Sequence, residues 1–353
     1  MPSDKSRPPD RNCFMVNVAG ASCLALLLIT VGCQHPIRVN MSGDLTTRLP
    51  TDNTAHPVRQ RLVAGNLGVC EKIAIIDVDG MMLNRNFKGM DSLGENPVSL
   101  FHEKLGAAAA DSSIKAIVLR INSPGGSVTA SDIMRRELVK FRQTCGKPVV
   151  ASILDVGAGG AYYLATACDY ITVHPTSVVG GVGVVMNLYS LADVLPKQEI
   201  EPRTVRAGDY IDLGTPVVRF DEDGEEILDS IAKELHARFI DAVLDTRPEV
   251  DRKYLDGRIM SASQALANGF IDEVAYLDDS ILRAEGLGGV TSNARVVMFR
   301  RTNDRALTEF DITPNTPSSL ASLPLSIPGL DRTNLPLFLY LWQPDPGLEI
   351  RGY

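Results

Sequence analysis

Residues 114–126 read Ile-Lys-Ala-Ile-Val-Leu-Arg-Ile-Asn-Ser-Pro-Gly-Gly. The apolar, β-branched run Ile114–Ile121 is typical of a buried strand, and the turn-forming residues after it end that strand. Either Ser127 or Thr129 can cap a helix that starts next. Apolar residues at helical spacing follow, at Ala130, Ile133, Met134, Leu138 and Phe141. The stretch therefore predicts a strand, a tight turn and an amphipathic helix.

The same alternation recurs along the chain. Short apolar runs that predict strands lie at 73–78, 148–154 and 170–173, and a Gly-rich turn and a helix at 161–167 separate the last two. Strands that alternate with helices predict an α/β fold. Its sheet is expected to be mainly parallel and covered on both faces.

The N-terminus has the pattern of an export signal. Three basic residues precede the apolar run Ala19–Val31, which is short for a membrane span and ends at Gly32-Cys33. Residues 1–33 are therefore predicted to be a lipoprotein-type signal peptide, with Cys33 acylated after cleavage. Thr30 stands where the usual leucine would precede the cysteine. An ordinary cleaved signal peptide and a short uncleaved anchor are the alternatives.

This leader predicts an exported bacterial lipoprotein, attached to the membrane on its periplasmic face. Gln34, where aspartate would favour inner-membrane retention, favours the outer membrane. Residues 34–71 are predicted to be a tether and residues 72–300 the folded domain. The Pro-rich residues 301–353 are predicted to form an extended or disordered tail. Within that tail, the apolar run Leu335–Trp342 is too short to cross a bilayer and is expected to dock on the domain or on a neighbour.

Composition excludes several classes of function. With 353 residues and a net charge of −8, the chain lacks the positive charge of a general nucleic-acid binder, so no nucleic-acid partner is expected. No Cys/His cluster has the spacing of a metal site. Neither a metal nor another cofactor is therefore predicted.

Several segments in one order carry a family resemblance. They are Leu119–Val128, with its Ser-Pro-Gly-Gly turn, Tyr162–Ala165, His174–Ser177, Gly180–Val184 and Asp256–Ile259. Together they resemble the signal peptide peptidase A family of serine peptidases over about Lys72 to Leu282. The resemblance implies a Clp-protease/crotonase-like fold, in which ββα units form a curved, mainly parallel sheet.

The resemblance also implies a serine nucleophile and a lysine base, and this chain replaces both. The family pattern Ala-Ser-Gly-Gly-Tyr-Tyr corresponds to residues 158–163, Ala-Gly-Gly-Ala-Tyr-Tyr, which puts Gly159 at the serine position. The family pattern Gly-x-x-Lys-Asp corresponds to residues 208–212, which puts Ile211 at the lysine position. Neither residue can attack a carbonyl or accept a proton.

Two glycines match the family's oxyanion turn, Gly125 and Gly126. Backbone N–H groups there would stabilise a developing negative charge or simply hold a peptide carbonyl. The sequence therefore predicts a non-catalytic homologue that binds extended peptides or signal-peptide fragments, or that scaffolds or regulates an active relative. The resemblance implies homo- or hetero-oligomers with family members.

Two other functions remain open from the sequence. The first is an active serine endopeptidase whose nucleophile or base is relocated or supplied by a partner. Candidate nucleophiles lie on nearby segments, at Ser123, Ser152, Thr176 and Ser177. The second is a crotonase-type acyl-thioester enzyme, because that fold shares the oxyanion turn.

Overall fold

The structure, a computed structural model, describes residues 39–41, 45–47, 56–86, 95–219, 221–290, 293–302, 306–313 and 338–342. The chain divides into two compact units. In the first unit, Val39–Met41 (β1) and Leu45–Thr47 (β2) pair antiparallel. The second unit, Asn53–Gly89 with Leu93–Tyr353, contains all the other described elements. The predicted signal peptide and Cys33 lie outside the described residues.

Three long strands form the centre of a nine-stranded sheet, Lys72–Asp79 (β4), Ile114–Ser123 (β5) and Val149–Ala158 (β7). β5 lies between the other two and is parallel to both. Most residues of all three strands are buried, as expected of parallel strands covered on both faces. The predicted mainly parallel α/β sheet is therefore confirmed.

β7 changes partners along its length. Its first half pairs in parallel with Tyr170–Val173 (β8), and its end pairs in parallel with Val178–Gly180 (β9). The register between β5 and β7 shifts near the same point. Irregular pairing of this kind increases local twist, so the sheet curves where β7 approaches its carboxyl end.

Four shorter strands complete the sheet: Arg59–Ala64 (β3), Ile259–Ser261 (β10), Glu273–Val274 (β11) and Arg295–Arg300 (β12). β12 is parallel to β4 and antiparallel to β3, which is an edge strand. β10 is antiparallel to β9, and β11 is parallel to β8.

β3 corrects the predicted boundary between tether and domain at residues 71 and 72. Residues 59–64 belong to the sheet rather than to a tether. Their first half, Arg-Gln-Arg, is exposed, and only their second half, Leu-Val-Ala, is partly buried. Edge strands tolerate such polar residues, so the segment lacks the apolar run by which the inner strands are recognised.

The described helices are Pro97–Ala110 (α1), Val128–Cys145 (α2), Gly160–Ala165 (α3), Glu222–Leu244 (α4), Ala262–Ala267 (α5) and Leu277–Leu287 (α6). Short 3₁₀ turns lie at Leu195–Gln198 and Arg252–Tyr254. Among the described residues, none of the helices is both long and apolar enough to span a bilayer. Ser127 is the cap of α2, where its side chain accepts a hydrogen bond from the Ala130 N–H.

Alternation along the strands divides the core into two layers. In β4, Ala74 and Ile76 face a large cluster with α1, α2, α3 and α4, whereas Ile73 and Ile75 face a smaller cluster with α6. Side chains of successive strand residues point to opposite faces, so one strand supplies both layers. The structure therefore confirms that both faces of the sheet are covered.

Two pieces of the predicted tail are built into the domain. Residues 306–313 lie over the buried ion pair between Asp77 and Arg120, and Leu339–Leu341 (β13) pairs antiparallel with Gly125–Ser127 (β6). The prolines of this region predict an extended chain, but apolar residues among them find buried positions. The expectation that the apolar run docks on the domain is confirmed for residues 338–342.

Candidate functional site

The turn that follows β5 is fixed by Ser123. Its hydroxyl donates to the Gly80 carbonyl at 2.6 Å and accepts from the Gly125 N–H at 3.1 Å. The side chain is fully buried. Ser123 is thus a structural residue of the turn, and a serine held in this way is not poised to attack a substrate.

A backbone contact with Met82 requires glycine at position 126. The Met82 N–H donates to the Gly125 carbonyl at 2.9 Å, and the Ser127 N–H donates to the Met82 carbonyl at 3.0 Å. A Cβ on Gly126 would lie 2.0 Å from that Met82 oxygen. β6 is therefore held at its outer edge by residue 82, while its other edge is available for pairing.

Residues 338–342 occupy that other edge. The Val128 N–H donates to the Phe338 carbonyl at 3.2 Å, and the Trp342 N–H donates to the Pro124 carbonyl at 3.0 Å. Tyr340 lies opposite Gly126 between these two bonds. Antiparallel ladders alternate bonded and unbonded pairs, so the Gly126–Tyr340 pair is at a hydrogen-bonding position.

A second wall pairs with the same segment from the opposite side. Val185 and Leu339 exchange two backbone hydrogen bonds, at 2.9 and 3.0 Å. This wall is anchored by His236 of α4, whose Nε2 lies 2.9 Å from the Val182 carbonyl. We call the slot between β6 and Val185 the groove. It holds an extended backbone by hydrogen bonds on both edges, as peptide-binding sites that add a strand do.

Gly159 lies beneath this segment, at the junction of β7 and α3. Its φ of 53° and ψ of −125° form a sharp strand-to-helix turn, the kind of turn that exposes the nucleophile in some hydrolases. A Cβ at this position would lie 2.3 Å from the Tyr340 oxygen and 2.6 Å from the Tyr340 carbonyl carbon. The peptide bond between Tyr340 and Leu341 therefore occupies space that any side chain at position 159 would need.

Gly125 makes room for the same carbonyl. A Cβ on Gly125 would lie 2.0 Å from the Tyr340 oxygen and 2.7 Å from the Gly160 nitrogen. Its φ of 107° also lies in the region that favours glycine. The structure thus brings three predicted positions, Gly125, Gly126 and Gly159, around one peptide carbonyl.

Ile211, the fourth predicted position, is not in the groove. It lies in a turn-rich surface segment and is 73% exposed. An ion pair between Arg206 and Asp212, 2.7 Å long, bridges the segment. The assignment of Ile211 to the family's lysine position stays a prediction from the sequence.

The other candidate nucleophiles have structural partners. Ser152 accepts a hydrogen bond from the Ser280 hydroxyl at 3.0 Å in a buried cluster, and Ser177 is buried beneath β7. Thr176 contacts the Nδ1 atom of His174 at 2.9 Å on an exposed turn. Within the described ranges, no group of three His, Cys, Asp or Glu residues is arranged to hold a metal ion.

An aromatic cluster lines the groove on its inner side. The Tyr340 ring lies 4.7 Å from that of Phe239 and 5.3 Å from that of Tyr163, measured between ring centroids. The Tyr340 hydroxyl donates to the Leu235 carbonyl at 2.6 Å. Burial raises the pKa of the Tyr340 phenol, so this side chain stays neutral and hydrogen-bonded at ordinary pH. No local sequence pattern indicates this cluster, because its members lie far apart in the chain.

Tyr163 is itself held by an ion pair. Its hydroxyl donates to the Asp132 carboxylate at 2.8 Å, and Arg238 donates to the same oxygen at 2.8 Å. Burial opposes ionisation of Asp132, but hydrogen bonds from Arg238 and Tyr163 lower the pKa of its carboxyl overall. The ionised Asp132 therefore stabilises the folded domain. This stabilisation is present above the unfolded carboxyl pKa of about 3.9 and is lost as pH falls through the lowered pKa of the folded state.

Comparison with known proteins agrees with this architecture. Residues 141–291 match the model of peptidase family S49. Over these residues the chain is similar to the signal peptide peptidase A family, as its motifs predict. It is 30% identical over 218 residues to Protease 4 of Salmonella typhi, covering 61% of this chain and 34% of that protein. It is 23% identical to a putative signal peptide peptidase of Enterococcus faecium, covering 60% and 62% of the two chains.

Other relatives extend the comparison. A putative protease of Methanocaldococcus jannaschii is 32% identical over 200 residues, covering 56% of this chain and 63% of that protein. Among solved structures, a mutant of the 1510-N membrane-bound stomatin-specific protease in complex with a substrate peptide matches with a TM-score of 0.40 and 13% identity, covering 65% and 91% of the chains. The S49 match and the parallel sheet together establish the Clp-protease/crotonase-like fold. The chain spans between about a third and just under two thirds of the length of these curated relatives.

Proposed function

We propose that this S49 protein is a lipid-anchored, non-catalytic member of its family that binds extended peptides in the groove. The observation that supports this most directly is the peptide bond over Gly159. The Tyr340 carbonyl lies over Gly159, the residue that the motif predicts at the family's serine position, and glycine has no side chain that could attack it. Such a groove can hold a peptide through its backbone and through side-chain pockets without cutting it.

Binding without cleavage is compatible with two biological uses. The groove can retain an extended peptide or signal-peptide fragment, or it can present one to an active relative and so scaffold or regulate that enzyme. Both uses need the same geometry, an unbroken peptide paired on two edges. We favour peptide retention, because the groove already holds a strand in this way.

The absence of catalysis predicts no reaction with a serine-directed probe. Without nucleophile and base, only the acceleration due to binding and oxyanion contacts remains, on the order of a thousandfold over water, which is negligible for peptide hydrolysis. The purified full chain should therefore incorporate no fluorophosphonate and release no fragments from apolar peptides. An active S49 peptidase treated in parallel is the positive control.

Labelling or cleavage that disappears in Ser123→Ala or Ser177→Ala, and that is missing from a mock purification, would contradict the proposal. It would assign the activity to a relocated nucleophile. Coenzyme A binding to the unmodified chain would instead favour the acyl-thioester alternative.

We also propose that Cys33 carries the lipid and that the protein is held at the periplasmic face of a bacterial membrane. The support is the apolar run ending at Gly32-Cys33. Cells expressing the full chain are expected to incorporate labelled fatty acid into it, and Cys33→Ala should abolish the label. Cys70→Ala, at an exposed cysteine of the domain, is the matched control and should leave labelling unchanged. Equal labelling in the Cys33 variant would reject the assignment.

A further inference from the structure

The aromatic cluster beneath the groove has the shape of a side-chain slot. Tyr340 is fully buried in it, between Phe239 of α4 and Tyr163 of α3. Tyr163 and Phe239 also meet edge to face, at 5.1 Å, so the two walls of the slot support each other. Aromatic pairs in such arrangements stabilise more than their buried area alone.

The floor of the slot is polar. The carbonyl of Leu235, a residue of α4, accepts a partly buried hydrogen bond from the Tyr340 hydroxyl at 2.6 Å. A phenylalanine in the slot would fill the apolar walls but would leave this carbonyl without its side-chain donor. An alanine would leave the aromatic walls unfilled and would also remove the side-chain donor to this carbonyl. Sites that hydrogen-bond a ligand's hydroxyl discriminate against ligands that lack it, because the partly buried acceptor then loses that bond.

The backbone hydrogen bonds around the slot require an extended ligand but do not depend on the ligand's sequence. Val128, Pro124 and Val185 bond the segment's main chain on both sides of Tyr340. Any extended peptide can make these bonds, so the side chain that enters the slot decides which peptide is held.

We propose that the groove is selective for extended apolar peptides with a tyrosine at the slot, and that residues 338–342 are its resident ligand. The inference rests on the proposed function and adds the ligand class. A segment of the same chain acts at an effective concentration on the order of millimolar. A free peptide therefore competes poorly while residues 338–342 are bound. It occupies the groove when it binds more tightly than this segment or when the segment dissociates.

The test uses the full chain and a labelled synthetic peptide with the sequence of residues 336–344, flanked by lysines for solubility. Binding is measured by fluorescence anisotropy to the unmodified chain, to Tyr340→Ala and to Trp342→Ala, a control at the half-buried end of the segment. Tyr340→Ala should bind the peptide about a hundredfold more tightly than the unmodified chain, because its own segment no longer competes. Trp342→Ala should change the affinity far less.

Peptide variants then test the slot itself. Bound to Tyr340→Ala, a peptide with phenylalanine for the central tyrosine should bind about fivefold more weakly, and one with alanine at least tenfold more weakly. Equal affinity for the tyrosine and alanine peptides would overturn the slot and leave the proposed function standing. Failure of every peptide to bind a folded Tyr340→Ala chain would overturn both.

If Tyr340→Ala does not fold, a second variant tests the slot. Tyr340→Phe removes only the hydroxyl, and Trp342→Phe is its control. Hydrogen exchange of the amides at 339–341 should quicken about fivefold in Tyr340→Phe and stay unchanged in the control. Equal protection of these amides in Tyr340→Phe and in the unmodified chain would overturn the proposal.

Discussion

Replacing Gly159 by alanine is expected to expel residues 338–342 from the groove. The new Cβ would lie 2.3 Å from the Tyr340 oxygen and 2.9 Å from the Leu341 nitrogen. Both are backbone atoms fixed by pairing on two edges, so no side-chain rotation can relieve the overlap. Alanine at a φ of 53° also costs on the order of 1–3 kcal/mol of strain. The backbone strain lowers the stability of the whole domain, whereas the overlap with Tyr340 and Leu341 destabilises only the docking of residues 338–342.

Chymotrypsin measures this release, because Phe338, Tyr340 and Trp342 are all cleavage sites that pairing protects. Cleavage within 338–342 should be at least tenfold faster in Gly159→Ala than in the unmodified chain, since the overlap is expected to cost more than about 1.4 kcal/mol, a factor of ten. Gly146→Ala is the matched control. Gly146 has a φ of 64°, but a Cβ added there would have nothing within 4 Å, so this variant carries strain without overlap. Equal cleavage rates in the two variants would contradict the packing described here.

Replacing Arg120 by methionine is expected to destabilise the domain by about 3–5 kcal/mol. Arg120 and Asp77 form a 2.6 Å ion pair on neighbouring strands, with 2% and 3% of their side chains exposed. Arg120 also donates to the carbonyls of Glu309 and Asp311. Methionine keeps the apolar stem but leaves the Asp77 carboxylate buried without its partner. The uncompensated charge is the main cost.

Urea unfolding of the unmodified chain and of Arg120→Met measures this loss of unfolding free energy. Arg203→Met is the control, because its ion pair with Glu201 is largely exposed and such pairs contribute about 0–1 kcal/mol. The Arg120 variant should also free residues 306–313, which hydrogen exchange would detect as lost protection at Thr313, whose N–H donates to Asp77 at 3.0 Å. Equal unfolding free energies for the Arg120 and Arg203 variants would show that the buried pair is not what holds this region.

The sequence predicts the inner sheet well because its strands are covered on both faces. β4, β5 and β7 therefore read as continuous apolar, β-branched runs ended by turn residues. β3 was missed because an edge strand keeps polar side chains, and its pairing partner β12 lies more than two hundred residues away. Local pattern carries no information on pairing over such a distance.

The motifs name only part of the lining of the groove, and their functional roles stay predictions. Gly125, Gly126 and Gly159 follow from the motifs. In the structure Gly125 and Gly159 lie against the Tyr340 carbonyl, and Gly126 pairs with Tyr340. What fills the groove could not be derived from those motifs, because residues 338–342 come from a Pro-rich region whose composition indicates an extended chain. The apolar run Leu335–Trp342 indicates that this region docks, but it does not indicate the surface on which it docks.

The mass of the chain itself tests most directly whether the groove holds a peptide without cutting it. The bond between Tyr340 and Leu341 lies over position 159, so a relocated nucleophile that reached this bond would meet its substrate at the high effective concentration of an intramolecular reaction. We predict that the purified full chain keeps its complete mass during prolonged incubation at neutral pH. Accumulation of a species ending at Tyr340, prevented by a serine-directed inhibitor and missing from a mock purification, would contradict the account.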